Sequence, residues 1–136
     1  MNHTWTCFFP FCGLGAGALG FLQAKVTLRG DILSFVSLGG IDNDPLACED
    51  FEKLTRSPAL RADMKTLTPG ELRAFAGAAP PDVVFLSPPC KGFSSLLSAK
   101  TAKKVKYQAM NRLEFRCRSR SRSAGRLTVD VVSCKD

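Results

Sequence analysis

One cysteine, Cys90, stands where a nucleophile would be useful. It follows the apolar segment 82–86 after one serine and two prolines. A cysteine that only fills a core would more often lie inside the strand, whereas this one comes after it, on a loop that the prolines stiffen. Lys91 is its neighbour, and a nearby cation favours the thiolate, which is the reactive form of the side chain. The pattern therefore predicts a nucleophilic thiol that faces a cleft.

A glycine-rich turn covers residues 13–20, directly after the aromatic and apolar run 5–12. Gly15, Gly17 and Gly20 have the spacing G-x-G-x-x-G. Glycines let the backbone come close to a ligand, and the first N–H groups of a following helix can bind an anionic group. The spacing alone fits either the site of an adenosine-type cofactor or a plain tight turn.

Two acidic residues, Asp42 and Asp63, each follow a segment with strand character. Asp42 is placed to accept hydrogen bonds from both ribose hydroxyls of an adenosine. The side chain of Asp63 could accept one from an adenine amino group. The alternative for Asp42 is a turn that leads into a helix cap, and the alternative for Asp63 is a surface turn.

Strands and helices alternate through the first 90 residues, and this alternation would position the four features. The predicted strands cover residues 5–12, 32–41, 59–62 and 82–86, and the predicted helices cover 21–28, 45–54 and 68–76. Asp44 is expected to cap the second helix, with Pro45 at its first position. Thr68 is expected to begin the third helix in a capping box.

The alternation predicts an α/β protein with a Rossmann-like, doubly wound parallel sheet. Open sheets of this kind bind ligands outside the carboxyl ends of their strands. We therefore expect four strand-end residues to meet at one edge of the sheet: Gly13, Asp42, Asp63 and Cys90.

At these strand ends the sequence resembles the DNA (cytosine-5)-methyltransferase family, over about residues 5–113. The run 11–15, FCGLG, is similar to the family's first motif, F-x-G-x-G. The run 42–45, DNDP, resembles its acidic second motif, and Asp63 resembles the aspartate of its third. Residues 88–94, PPCKGFS, are similar to the P-C-Q-x-F-S loop that carries the family's nucleophile.

The resemblance implies a partial S-adenosylmethionine-dependent methyltransferase fold, with S-adenosylmethionine as methyl donor. Gly13, Gly15 and Gly17 would line the methionine end of the cofactor. Asp42 would hold the ribose and Asp63 the adenine. The full cofactor-binding set comprises Phe11, Gly13, Gly15, Gly17, Asp42, Asn43, Asp63, Met64 and Pro89.

The resemblance also implies a reaction, in which Cys90 is the catalytic nucleophile. Its thiolate would add to carbon-6 of cytosine, so that carbon-5 can take the methyl group. Loss of the carbon-5 proton and elimination of the thiol would then release the product. The target base would first leave the DNA stack.

Two other activities fit the same residues: methylation of cytosine in RNA, and a non-catalytic remnant that binds the cofactor or nucleic acid. A nicotinamide-binding module would explain the glycines and Asp42, but it gives Cys90 no role.

Three departures from the family pattern shape the expected activity. Lys91 replaces the usual glutamine, and Asn43 stands where an aromatic residue often stacks on adenine. The family's Glu-Asn-Val motif, whose glutamate steadies the cytosine ring, does not occur in the sequence. We therefore expect a truncated N-terminal catalytic part with turnover near zero by itself, to which a separate chain could add the recognition half.

Basic residues concentrate in residues 100–126, where ten lysines and arginines accompany one acid, Glu114, in a chain of net charge +7. Such a patch favours nucleic acid as a partner, and a solvated or disordered tail fits the charge equally well. The family resemblance implies that the nucleic acid is DNA and that the chain belongs to a restriction-modification enzyme. Residues 1–113 are expected to form the cofactor-binding, catalytic part. Residues 118–123 alternate arginine with serine, and residues 114–136 are expected to be a divergent tail without stable structure.

The remaining composition argues against several other classes. Six cysteines and one histidine do not occur at metal-ligand spacing, so no metal site is expected. No apolar run reaches the about 20 residues of a membrane-spanning helix. The first dozen residues contain no lysine or arginine, which argues against a secretory signal. We expect a cytoplasmic protein with reduced thiols.

Overall fold

The structure, a computed structural model, describes residues 1–77, 79–87 and 129–132. Its strands are β1 (Asn2–Pro10), β2 (Val26–Leu28), β3 (Asp31–Asp42), β4 (Ala59–Arg61), β5 (Val83–Leu86) and β6 (Val129–Val132). Its helices are α1 (Ala16–Gln23), α2 (Pro45–Thr55) and α3 (Pro69–Ala76). All four predicted strands are present, although β1 begins at Asn2 rather than at residue 5.

All six strands belong to one sheet, and five of them run parallel in the order β4-β3-β1-β5-β6. The chain builds outward from β1 to β3 and β4, and then returns to the other side of β1 for β5. Only β2 is antiparallel, and it pairs with the first residues of β3. The predicted α/β class and parallel sheet are confirmed, with one antiparallel strand added at the edge.

The sheet carries a separate apolar core on each face, because successive side chains of a strand point to opposite faces. One core lies under α1 and α2 and contains Cys7, Phe9, Ala18, Phe51 and Val83. The other lies under α3 and the preceding loop and contains Phe8, Ile41, Met64, Leu67, Val84 and Leu86. Helices on both faces make the sheet doubly wound, as predicted.

Local caps fix the start of α2 and α3 where the sequence predicts them. The Asp44 side chain accepts a hydrogen bond from the N–H of Leu46 at 3.0 Å, and Pro45 is the first residue of α2. Thr68 and Glu71 form a reciprocal capping box at the start of α3.

Among the residues described, no helix has the length and apolar character needed to cross a bilayer.

Helix α1 corrects the prediction of a helix over residues 21–28. It begins at Ala16 and ends at Gln23, so the segment read as a turn contributes its first residues. The small residues allow close packing, and Ala18 is buried against the sheet. The ring of Phe21 packs edge-on against Phe9, with centroids 5.8 Å apart. These tertiary contacts outweigh the poor helix propensity of glycine.

Strand β2 is the second correction, because the predicted helix over residues 21–28 also covers its residues. Val26–Leu28 pairs with the start of β3 through a two-residue turn at Arg29-Gly30. Both turn residues have positive φ, 52° and 87°. This is the backbone of a type I′ hairpin turn, whose twist matches that of the flanking strands.

Strand β6 corrects one part of the tail prediction. Val129–Val132 lies parallel to β5 and pairs with all four of its residues. Three of these four residues are valine, which is well suited to a parallel strand. The prediction is therefore wrong for this strand, and the other residues of the predicted tail lie outside the described residues.

Two adjacent glycines in β3 allow the chain to approach both faces of the sheet. A Cβ atom on Gly40 would lie 2.6 Å from the Cβ of Cys12 and 2.9 Å from the Cζ of Phe51. A Cβ on Gly39 would lie 2.7 Å from the carbonyl oxygen of Pro58, and its φ of 129° is one that other residues rarely adopt. Here β3 also has a bulge relative to β1.

The opposite end of the sheet is fastened by Thr6 and Asp82. The Asp82 carboxylate accepts hydrogen bonds from the N–H and the hydroxyl of Thr6, at 2.9 and 2.8 Å. The N–H of Asp82 donates back to the Thr6 hydroxyl at 3.0 Å.

Burial, and secondarily the nearby charge of Asp82, raises the pKa of the Cys7 thiol to about 11.

Gly40→Ala is expected to destabilise the protein by about 1–3 kcal/mol, because the new methyl group overlaps Cys12 and Phe51. Gly20→Ala is the matched control. Nothing lies within 4 Å of a Cβ at that helical position, so the variant should gain about 0.5–1 kcal/mol. Urea denaturation measures both. Equal stability of Gly40→Ala and the parent would contradict the close approach.

The Cys7 thiol is expected to make stability fall at high pH. Its pKa rises from 9.0 to about 11 on folding, so its contribution is complete below pH 9 and is lost as pH rises to about 11. The free energy of unfolding should drop about 2–3 kcal/mol more for the parent than for Cys7→Ala over that interval. Denaturation curves at closely spaced pH values test this, and parallel curves for the two proteins would refute it.

Candidate functional site

A cavity of about 460 Å³ opens at the carboxyl ends of β1 and β5. Its walls are residues 11–18, together with Phe9 of β1 and Phe85 and Ser87 at the end of β5. The order of the chain in the sheet reverses here, because β3 lies on one side of β1 and β5 on the other. Ligands of open α/β proteins bind at such a switch point, and the volume suits a small organic molecule.

The loop that leaves β1 is shaped by residues with left-handed backbone. Phe11, Gly13 and Gly15 have φ values of 57°, 54° and 96°. The N–H of Gly15 donates to the carbonyl oxygen of Cys12 at 3.1 Å and closes a turn. A Cβ on Gly15 would lie 3.0 Å from the ring of Phe51. The positive φ and this close approach together require glycine at position 15.

Gly17 lets the first turn of α1 sit against β5. A Cβ there would lie 2.8 Å from the ring of Phe85. That ring cannot move aside easily, because it packs against Phe9 and Phe21 with centroids 6.3 and 5.6 Å apart. The glycine spacing noticed in the sequence therefore serves packing, and it also brings main chain to the cavity wall.

The first turn of α1 forms part of the cavity wall, and its main-chain N–H groups have no side-chain cap. Its N-cap, Gly15, has no side chain to bond them, and the first turn contains no acidic residue. Ala16, Gly17 and Ala18 all line the cavity. The first N–H groups of a helix lack acceptors within the helix and attract negative charge. This wall is suited to an anionic group such as a carboxylate.

Asp42 ends β3 beside the same loop. Its carboxylate accepts a hydrogen bond from the N–H of Gly13 at 2.9 Å and another from the N–H of Asp44 at 3.1 Å. Each oxygen keeps a further lone pair that a ligand hydroxyl can use. The structure thus brings Asp42 and Gly13 together, as the strand alternation predicted, while the ribose role of Asp42 stays a prediction.

Three other predicted cofactor residues do not line the cavity. Asn43 and Asp63 are exposed. Asp63 follows β4, one strand beyond Asp42, and its carboxylate accepts from the N–H of Lys65 at 2.8 Å. Met64 is only 5% exposed and belongs to the core under α3. Their binding roles stay predictions.

The predicted nucleophile Cys90 and the predicted contact Pro89 lie outside the described residues. Sequence reasoning also missed Phe85 and Ser87, which β5 and the residue after it contribute to the cavity wall. The alternation of side chains along 83–86 was a usable signal for Phe85, because it puts this ring on the face of Val83 and α1. No sequence pattern marked Ser87.

Comparison with solved structures finds the same fold in methyltransferases. A structure described as a DNA modification methyltransferase encoded within an E. coli prophage superposes with a TM-score of 0.63, is 20% identical, and matches 87% of this chain and 29% of its own. The Entamoeba histolytica methyltransferase EhMeth has a TM-score of 0.52 and 11% identity, over 96% of this chain and 37% of its own. The S. pombe Dnmt2 methyltransferase has a TM-score of 0.46 and 21% identity, over 64% of this chain and 24% of its own.

The first two similarities show that the chain has the same fold as part of these methyltransferases. The chain spans between 24% and 37% of the length of these three structures. No family profile and no curated protein matches the sequence. The resemblance drawn from the motifs is therefore confirmed at the level of the fold, with a DNA modification methyltransferase among the structural neighbours.

Proposed function

We propose that the chain is the cofactor-binding and catalytic part of a DNA (cytosine-5)-methyltransferase that uses S-adenosylmethionine. One observation carries the proposal. In a methyltransferase fold, the cavity at the switch point is built from the loop that the sequence relates to the F-x-G-x-G motif. The same strand order brings Asp42 to that loop, and in the sequence the PPC motif follows β5 after one residue.

The cavity residues fit S-adenosylmethionine. The bare start of α1 suits the carboxylate of its amino-acid end, and Gly15 and Gly17 allow close approach to main chain. The Asp42 carboxylate, adjacent to the loop, suits the ribose hydroxyls. When bound, the cofactor supplies a methyl group on a positively charged sulfur.

The end of β5 connects this cavity to the proposed nucleophile. Ser87 lies on the cavity wall, and Cys90 follows it by three residues. Three residues span at most about 10 Å of extended chain, so the sequence keeps the proposed nucleophile within reach of the cavity. The proposed role of Cys90 is addition to cytosine carbon-6, with the basic segment 100–126 holding the phosphate backbone.

Cofactor binding should depend on the charge of Asp42. Asp42→Ala is expected to weaken S-adenosylmethionine binding by about 1.5–3 kcal/mol, because ribose hydroxyls would lose a charged acceptor. Asp42→Asn removes the charge, so it should also lose affinity. Its amide oxygen can still accept the hydrogen bond from the Gly13 N–H, so its melting temperature should stay closer to that of the parent. Isothermal titration calorimetry and thermal denaturation measure the two effects.

Asp50→Ala is the matched control, because Asp50 is an exposed acid on α2 whose contact is with Lys53. This variant should bind S-adenosylmethionine as the parent does. Equal affinity of the parent, Asp42→Ala and Asp50→Ala would reject the role of Asp42. An absence of binding by the parent would reject the proposed function.

Methyl transfer should require Cys90 and prefer DNA. The expected turnover is small, since the Glu-Asn-Val motif does not occur in the sequence. A labelled-methyl assay with mixed-sequence DNA and RNA of equal length tests this, with Cys90→Ala as the blank. Cys90-dependent label in RNA but not in DNA would establish the RNA alternative. Label that survives in Cys90→Ala would reject the nucleophile.

A further inference from the structure

The Ser87 hydroxyl is a buried polar group on the cavity wall. Ser87 is only 6% exposed. Thr55 is the other buried polar side chain in the part of the chain described, and its hydroxyl donates to Phe51 at 2.8 Å and accepts from Ser57 at 3.2 Å. The described residues offer Ser87 no comparable hydrogen bond. Buried hydroxyls nearly always have a partner, and because Ser87 lines the cavity, a ligand bound there is a candidate for that partner.

The composition of the wall makes Ser87 distinctive. The other residues that line the cavity are phenylalanine, glycine, alanine, leucine and Cys12. A thiol is a weak hydrogen-bonding group, so Ser87 is the one strong side-chain acceptor among the described lining residues. The start of α1, by contrast, supplies donors only. The two parts of the wall are therefore complementary in what they can bind.

We infer that Ser87 recognises the ammonium group at the amino-acid end of the ligand, while the start of α1 takes the adjacent carboxylate. An α-amino acid carries both groups on one carbon, so a ligand held by its carboxylate places an ammonium close by. That ammonium needs an acceptor, which the Ser87 hydroxyl provides. This inference rests on the proposed function, and it makes Ser87 a specificity-determining residue for amino-acid-bearing ligands.

The test compares two ligands on the full chain and on Ser87→Ala. One is S-adenosylmethionine, and the other is its analogue in which hydrogen replaces the amino group. Ser87→Ala should weaken S-adenosylmethionine about tenfold in calorimetry, as expected for a lost hydrogen bond to a charged group. Its dissociation constant for the desamino analogue should stay within about twofold of the parent's.

The ligand-free protein gives a second, independent readout. Because the described chain offers the Ser87 hydroxyl no hydrogen bond, Ser87→Ala should melt at the same temperature as the parent or higher. A melting temperature several degrees lower would show that the hydroxyl has a protein partner, and would overturn the inference.

Ser34→Ala is the matched control. Ser34 lies in the amino-terminal half of β3, away from the cavity. Its hydroxyl contacts the hydroxyl of Thr4 and the carbonyl oxygen of His3, both in β1. This variant should bind both ligands as the parent does. An equal loss of both ligands in Ser87→Ala, or no loss of either, would overturn the inference while leaving the proposed function intact. Failure of the parent to bind S-adenosylmethionine would overturn both.

Discussion

The packing of the loops and helices on β3 depends on the absence of side chains at Gly39 and Gly40. On one face, Cys12 and Phe51 occupy the space that a side chain at Gly40 would fill. On the other, the carbonyl of Pro58 and the ring of Phe75 come as close to Gly39. The residues on both faces of the sheet therefore pack against β3 at the same level, just before the strand ends at Asp42.

This close approach places the site. With Cys12 against β3, the next residue of the loop, Gly13, reaches the carboxylate of Asp42 at 2.9 Å. The chain then turns through Gly15 into α1, whose first residues line the cavity. The resulting site is largely main chain. One carboxylate beside it and one hydroxyl within it supply the strong polar side chains of its described part, so the positions of the glycines decide its shape.

Features set by local chemistry could be predicted from the sequence. The caps at Asp44 and Thr68 act within a few residues, and both helices begin where those caps require. The apolar runs before Gly13, Asp42 and Ser87 became parallel strands, so the edge that carries the site was also predictable.

Features set by distant contacts could not be predicted. The glycine-alanine run becomes helical because Ala18 and Phe21 pack on the sheet. Val26–Leu28 becomes a strand because Arg29 adopts positive φ, which its residue type does not favour. The position of Ser87 on the cavity wall depends on how β5 lies beside β1. Ser87 is buried by tertiary packing, which cannot be predicted from the residues next to it in the sequence.

The outer side of β3 has a consequence for how the protein behaves at high concentration. Short strands cover both of its ends, since β2 pairs with residues 31–33 and β4 with residues 40–42. In the described chain, residues 34–38 between them have no strand on that side. Exposed strand edges can template aggregation. On β3 itself, an incoming strand would meet only this short opening, flanked by the hairpin and by Gly39 with its positive φ. The two small strands thus limit edge-to-edge association through β3, the longest strand of the sheet.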